Sequence, residues 1–249
     1  MSLSGTLRRR RQGVEATYFA RKRLHTVSLP RFRLHGFTTE ALREYGQGDL
    51  LEVGAGLSPY SATLAAVADR VTTLDIEDRS GTVDLIADVQ SMPEVGDETF
   101  DTVLCTQVLE HIPDPARAVR EIARVLRPGG CLIATVPHLS MIHEAPHDYF
   151  RFTEYGLTYL CQEADLVVER LVPTGGLVSF LAHTASLAML STLGSLPLLG
   201  PLARLVNYLL LVRGMDYVDR LFGAPSHFPR DYLVVARKPN EPSGRRVTP

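Results

Sequence analysis

The chain has 249 residues, with 26 Lys and Arg against 28 Asp and Glu and a formal net charge of −2. That length accommodates one full α/β domain with additions, and the near-neutral balance leaves no global field to draw the protein to nucleic acid. Cys105, Cys131 and Cys161 stand without a CxxC pair, which fits a reducing, cytoplasmic setting and argues against a cysteine-built zinc site.

Residues 1–35 read as a basic arm carrying Arg8–Arg11 and Arg21-Lys22-Arg23, with a helix over Val14–His25. No apolar run follows the arginines, so no secretory signal is expected. A helix from Thr38 or Thr39 to Tyr45 comes next, capped by threonine and ended by Gly46. Leu50-Leu51-Glu52-Val53 is a first strand, followed at once by Gly54-Ala55-Gly56 and a helical pattern from near Ser58. A strand, a glycine turn and a helix start together make a corner where backbone can approach a ligand closely.

Arg70–Leu74 is a second strand, ending in Asp75-Ile76-Glu77-Asp78. An acid about 20 residues beyond the glycines fits recognition of ribose hydroxyls. Val83–Ala87 is a third strand with Asp88 at its end, and Phe100–Cys105 is a fourth that leads to Gln107. Pro115 opens an amphipathic helix in which Ala118, Val119, Ile122, Val125 and Leu126 recur at helical spacing. Arg127-Pro128-Gly129-Gly130 stops it, and Cys131–Val136 is a fifth strand. Strands alternating with helices predict a doubly wound, mostly parallel sheet, whose ligand lies outside the carboxyl ends of the strands. Those ends carry Gly54, Gly56, Asp75, Asp88, Gln107 and Pro137-His138.

Four pieces in this order resemble a class I S-adenosylmethionine-dependent methyltransferase of the small-molecule, lipid and sugar type. They are Glu52-Val53-Gly54-Ala55-Gly56, Leu74-Asp75, Phe100-Asp101 through Val108-Leu109-Glu110-His111, and Arg124-Val125-Leu126-Arg127-Pro128-Gly129-Gly130. The resemblance covers roughly 50–171 and a last strand at Asp231–Arg237; the family's third glycine is Ser58 here. It implies a Rossmann-like seven-stranded α/β sheet and S-adenosylmethionine as cofactor. Carried over, Gly54, Ala55 and Gly56 face the methionine part, and Glu52 lies under that loop. Asp75, followed by Ile76, takes the ribose hydroxyls. Asp88 takes the adenine amino group with backbone contact from Val89, and Gln107 lines the floor under the sulfonium. A nicotinamide oxidoreductase would need a further glycine where Pro59 stands.

The loop from His138 to Thr153 gathers His138, His143, His147, Glu144, Asp148, Tyr149 and Arg151. A hydroxyl acceptor needs a proton removed, and histidine suits that near neutral pH. His143 and His147 are the candidates, with Asp148 as orienter; His111, beside Glu110, is a third. The same histidines, with Glu144 and Asp148, could hold a metal, but no HExxH-type spacing appears, so no metal is expected. Thr153 fits an N-cap for a helix Glu154–Ala164, and Leu166–Val172 is a sixth strand.

Residues 171–203 hold no Asp, Glu, Lys or Arg. A helix over Leu177–Leu196 would place Ser179, His183 and Ser186 on one face; after Pro197, Gly200 and Pro201 a second apolar helix runs Leu202–Val212. An apolar helical insertion between the last two strands is therefore expected, lying in a membrane interface or capping an apolar acceptor rather than spanning a bilayer; a homodimer surface is the other use. The organisation expected is a basic arm over 1–35, a methyltransferase domain over 36–173 and 231–238, the insertion over 174–230 with peripheral membrane contact through 174–212, and a disordered tail over 239–249. The function expected is O-methylation of a small, apolar or lipid- or glycan-linked acceptor. The alternatives are C-methylation of a quinone or isoprenoid precursor, and a non-catalytic, membrane-associated binding or assembly protein.

Overall fold

A computed structural model of the chain describes residues 29–79, 81–196, 198–215, 217–218 and 228–241. The expected helix Val14–His25, the arginine run and most of the tail lie outside the described residues. In chain order the elements are α1 Leu29–Tyr45, β1 Asp49–Val53, α2 Ser61–Val67, β2 Arg70–Asp75, β3 Leu85–Ile86, β4 Phe100–Thr106, a 3-10 turn Leu109–His111, α3 Pro115–Val125, β5 Leu126–Pro137, α4 Glu154–Glu163, β6 Val167–Thr174, α5 Leu177–Thr192, α6 Gly200–Val206 and β7 Asp231–Arg237.

The seven strands form one sheet in the order β3-β2-β1-β4-β5-β7-β6. β1 pairs in parallel with β2 on one side and β4 on the other, and β7 runs antiparallel to β5. The chain builds outward from β1 to β3, then returns to lay β4 against the opposite side of β1. The order reverses between β1 and β4, the place where an open α/β sheet leaves a crevice.

Successive strand residues point to opposite faces. Leu50, Leu104, Cys131, Ile133, Leu233 and Val235 pack on one face with Ala41, Leu42 and Leu64. Leu51, Val103, Leu132, Ala134, Tyr232 and Val234 pack on the other with Ala118, Val119 and Ile122 of α3 and Leu157 and Cys161 of α4. Both faces are covered, so the central strands read as continuous apolar runs rather than alternating ones.

Several boundaries differ from the sequence expectation. β5 begins at Leu126, which pairs with Phe100, rather than at Cys131, and the helix from Leu177 ends at Thr192 rather than Leu196. α1 begins at Leu29, with proline second, where its missing N–H costs nothing; Thr38 is consequently buried inside the helix instead of capping it. The helix expected from near Ser58 begins at Ser61, because Ser58 takes a positive φ of 46° in the turn. The third strand is only Leu85–Ile86, a short edge strand paired at Leu74 and Asp75. The expected Thr153 cap holds, accepting from the Gly156 N–H at 3.1 Å, and Asp114 caps α3 by accepting from the Arg117 N–H at 3.0 Å.

The described residues fall into two compact units, one within 37–172 and 231–249, the other within 1–36 and 173–230. In the second unit α5 ends in a 3-10 turn, Leu193–Ser195, and α6 passes into π-helical Asn207–Gly214. Its polar residues Ser179, His183, Ser186 and Asn207 are buried, while Leu177, Leu181, Leu202, Leu205, Leu209 and Leu210 are exposed and Leu198 is 92% exposed. Among the described residues no helix is long and apolar enough to cross a membrane.

Leu104 is fully buried at mid-sheet, whereas Ile86 on the edge strand is 66% exposed. Leu104→Ala is expected to cost about 2–5 kcal/mol in denaturant unfolding, and Ile86→Ala to stay within about 0.5 kcal/mol of wild type.

Candidate active site

The carboxyl end of β1 turns through Gly54 at φ 65° and Gly56 at φ 53°. Both Gly54 and Ala55 donate their N–H to the Leu74 carbonyl, at 2.8 and 3.2 Å. A Cβ on Gly54 would stand 2.3 Å from Cγ2 of Val108, so only glycine lets the turn after β4 close onto the turn after β1. Asp75, at the tip of β2, accepts the Gly56 N–H at 2.9 Å through Oδ2, and a longer bond at 3.4 Å from the Glu77 N–H through Oδ1. An ionised carboxylate has about four acceptor sites, so capacity for further donors remains. Beside it Ile76 is 67% exposed, an apolar side chain at a strand tip. Glu52 is buried two residues before Gly54.

At the next strand end Asp88 takes the Gln90 backbone N–H at 2.9 Å and its side-chain amide at 3.1 and 2.9 Å, while Val89 is buried in the core. Gln90 Oε1 in turn accepts the Asp114 N–H at 3.1 Å, tying this turn to the start of α3. After β4, Gln107 takes φ 54° and donates its backbone N–H to Thr135 at 2.9 Å. Its side-chain Nε2 is buried with no hydrogen-bond partner among the described residues.

The 3-10 turn Leu109–His111, closed by the His111 N–H on the Val108 carbonyl, brings Glu110 and His111 against the loop after β5. The Glu110 side chain is fully buried, and neither carboxylate oxygen has a hydrogen-bond partner among the described residues. His111 Nε2 lies 3.7 Å and His143 Nε2 3.9 Å from Glu110 Oε1, too long for hydrogen bonds. The two imidazoles meet edge to face with centroids 4.9 Å apart. Each uses its other nitrogen on a backbone carbonyl: His111 Nδ1 lies 2.5 Å from the His147 oxygen, and His143 Nδ1 3.2 Å from the Met141 oxygen.

Arg151 fixes the loop. It donates to Oδ1 of Asp148 at 2.6 Å and to Oδ2 at 2.9 Å, and also to the carbonyls of Ser140, Met141 and Phe150. Asp148 Oδ2 accepts the His143 backbone N–H at 2.7 Å. The guanidinium fork holds the Asp148 carboxyl down at about 2. Burial does the opposite to Glu110, pushing its carboxyl up to about 8, and it lowers His143 below the usual imidazole value. His147 is exposed, its Nδ1 near the Tyr149 hydroxyl at 3.2 Å, and its ring stands outside the Glu110–His111–His143 group. His138 Nδ1 faces the Phe152 carbonyl at 2.8 Å.

Residues 51–134 match a family described as methyltransferase domain. The chain carries a class I methyltransferase domain. A ubiquinone biosynthesis O-methyltransferase of Xanthomonas oryzae pv. oryzae (strain PXO99A) is 30% identical over 139 residues, covering 51% of this chain and 52% of that protein. The chain thus spans about half the length of the curated relatives it matches. Among solved structures, the cyclase SpnF aligns with a TM-score of 0.57 at 21% identity, covering 84% of this chain and 81% of that one. A Burkholderia thailandensis 1,6-didemethyltoxoflavin-N1-methyltransferase with bound S-adenosylhomocysteine aligns with a TM-score of 0.53 at 17% identity, covering 83% and 78%. One neighbour is named for cyclisation and one for N-methylation, so this likeness establishes the fold and leaves the reaction open.

The groups at the edge of the methyltransferase domain fit S-adenosylmethionine. Asp75 retains acceptor capacity for hydroxyls, exposed Ile76 offers an apolar surface to an aromatic base, and Gln107 presents a buried amide without a partner. Sequence reasoning missed two residues: Gln90, which occupies Asp88, and Glu110 as the centre of the histidine pair. Adjacency to His111 was the available signal for Glu110; its burial was not readable.

The raised Glu110 value has a stability consequence. An unfolded glutamate titrates near about 4.3, so between there and about 8 the folded state holds the extra proton and stability falls as pH rises. His111, His143, Asp148, Arg151, Asp231 and Cys105 are charged or titratable groups around it, and the lowered His143 works in the opposite sense over its own range. In metal-free buffer the melting temperature of Glu110→Gln relative to wild type is expected to rise steadily from about pH 5 to about pH 8. A difference that stays constant over that range would refute the burial argument.

Proposed function

We propose that this chain transfers the methyl group of S-adenosylmethionine to a hydroxyl of a small, apolar acceptor. The observation that carries the reading is the tie of Asp75, at the tip of β2, to the Gly56 N–H of the turn after β1, with the unpartnered Gln107 amide on the turn after β4. The O-methyltransferase name of the 30% identical relative supports oxygen as the receiving atom.

S-adenosylmethionine would supply a sulfonium methyl group, the acceptor oxygen bonding to the methyl carbon as its bond to sulfur breaks and S-adenosylhomocysteine leaves. The chain's own part is positioning, the larger share of such a reaction. Gly54 and Gly56 keep side chains away from the methionine end, and Glu52 lies under that turn. Asp75 accepts the ribose hydroxyls, Asp88 with the Val89 backbone faces the adenine, and Gln107 floors the sulfonium. On the acceptor side His143 and His111 present their Nε2 atoms beside Glu110, each ring held through Nδ1 on a backbone carbonyl. This group takes up or polarises the hydroxyl proton. Asp148 and Arg151 position His143; the ring of His147 plays no part.

The exposed leucines of α5, α6 and the π-helical segment, set over buried Ser179, His183, Ser186 and Asn207, suit contact with a lipid surface. That surface would deliver an apolar or lipid-linked acceptor and makes the protein membrane-peripheral.

Titration calorimetry with S-adenosylmethionine and S-adenosylhomocysteine tests the cofactor site. Wild type binds both, and Asp75→Ala weakens binding at least about tenfold, the loss of one charge-assisted hydrogen bond. A folded wild type that binds neither ligand would overturn the reading. For the surface, the double variant Leu202→Asp, Leu209→Asp is expected to stay in the supernatant when wild type sediments with vesicles of phosphatidylcholine and phosphatidylglycerol. Equal partition of the two proteins would remove lipid contact from the account.

A further inference from the structure

Glu110, His111 and His143 place one ligand atom each within 4.8 Å of one another. Along the sequence they are not a metal motif, since Glu110 and His111 are adjacent and His143 lies on a different loop. The fold supplies the missing proximity by setting the 3-10 turn after β4 against the loop after β5.

Three features separate this group from an ordinary buried ion pair. First, the Glu110 carboxylate is fully buried and accepts no hydrogen bond among the described residues. A buried carboxylate left so is unfavourable unless something compensates it. Second, the contacts of 3.7 and 3.9 Å from Oε1 to the two Nε2 atoms are too long for direct bonds. They lie within a few tenths of an ångström of the ~3.4 Å that separates ligands sharing a tetrahedral ion with bonds near 2.0–2.1 Å. Third, both Nδ1 atoms are already committed to backbone carbonyls, of His147 and Met141. That outer arrangement fixes the tautomer and turns an Nε2 lone pair inward, as in metal-ligating histidines. Asp148 is not available as a fourth ligand, because Arg151 grips both of its oxygens.

We infer that Glu110, His111 and His143 form a binding site for a divalent first-row transition metal ion such as Zn²⁺. Two imidazoles and one carboxylate suit such ions better than Mg²⁺ or Ca²⁺. Three protein ligands leave an open coordination position, the mark of a reactive rather than a structural site. Its assignment to the acceptor side rests on the methyltransferase reading above. There the open position receives the acceptor's hydroxyl oxygen, and the ion polarises it in place of a free histidine.

The test is titration of chelator-treated full-length protein with Co²⁺, followed by its visible ligand-field absorption, and with Zn²⁺ by calorimetry. The expected result is one equivalent bound per chain, with a Co²⁺ spectrum of a nitrogen–oxygen site displaced by Zn²⁺. Glu110→Gln and His143→Ala, confirmed folded by circular dichroism, should each weaken binding at least tenfold, while His147→Ala retains it. Absence of saturable one-to-one binding by wild type overturns the site whatever the variants do, and so does binding unaffected by Glu110→Gln and His143→Ala. S-adenosylhomocysteine titration of the same samples keeps the two readings apart. Cofactor binding without metal removes the metal site alone, and metal binding without cofactor removes the methyltransferase reading alone.

Discussion

The absence of a side chain at residue 54 is the contact on which the edge of this sheet depends. With any Cβ there, Val108 Cγ2 would lie at 2.3 Å, and the backbone at φ 65° would be strained as well. The turn after β4 rests on that gap. Its position sets Gln107, which hangs from the Thr135 carbonyl, and three residues on it sets Glu110 and His111. One small residue thereby couples the turn after β1 to the histidine cluster, through the turn after β4 where the strand order reverses.

Two acids near this crevice show how environment divides like side chains. Asp148 is gripped by the fork of Arg151 and stays ionised far below neutral pH. Glu110 has no such partner, and burial drives it toward the neutral form. Arg151 is spent on the loop, where its five donors serve Asp148 and three carbonyls. The cost of burying Glu110 is therefore left for something else to offset.

Much of this was legible in the sequence for a physical reason. Apolar runs of strand length, glycines between strand and helix, and acids at strand tips report local constraints that survive in any context. Gly54, Asp75 and the amphipathic α3 were read that way, and the Thr153 cap followed from side-chain chemistry alone. What could not be read depends on contacts between distant segments. The grouping of His111 with His143 needs two loops 32 positions apart to meet, and the His147 ring lies instead against the Tyr149 hydroxyl. Asp88 looked free because nothing in its neighbourhood announces that Gln90 folds back on it. In α5 the spacing of Ser179, His183 and Ser186 showed that they share a face. Which way that face points was a matter for the packed structure, and it points inward.

The place of β7 carries a consequence for biosynthesis. It lies between β5 and β6 in the sheet, yet it is made after both and after the whole leucine-rich segment of α5 and α6. Chains emerge from the N-terminus, so the facing edges of β5 and β6 stay open until residues 231–237 arrive to fill the gap. During that interval the nascent chain shows unpaired strand edges and bare leucines together, the combination most prone to wrong association. The vulnerable moment in the life of this protein is its own translation.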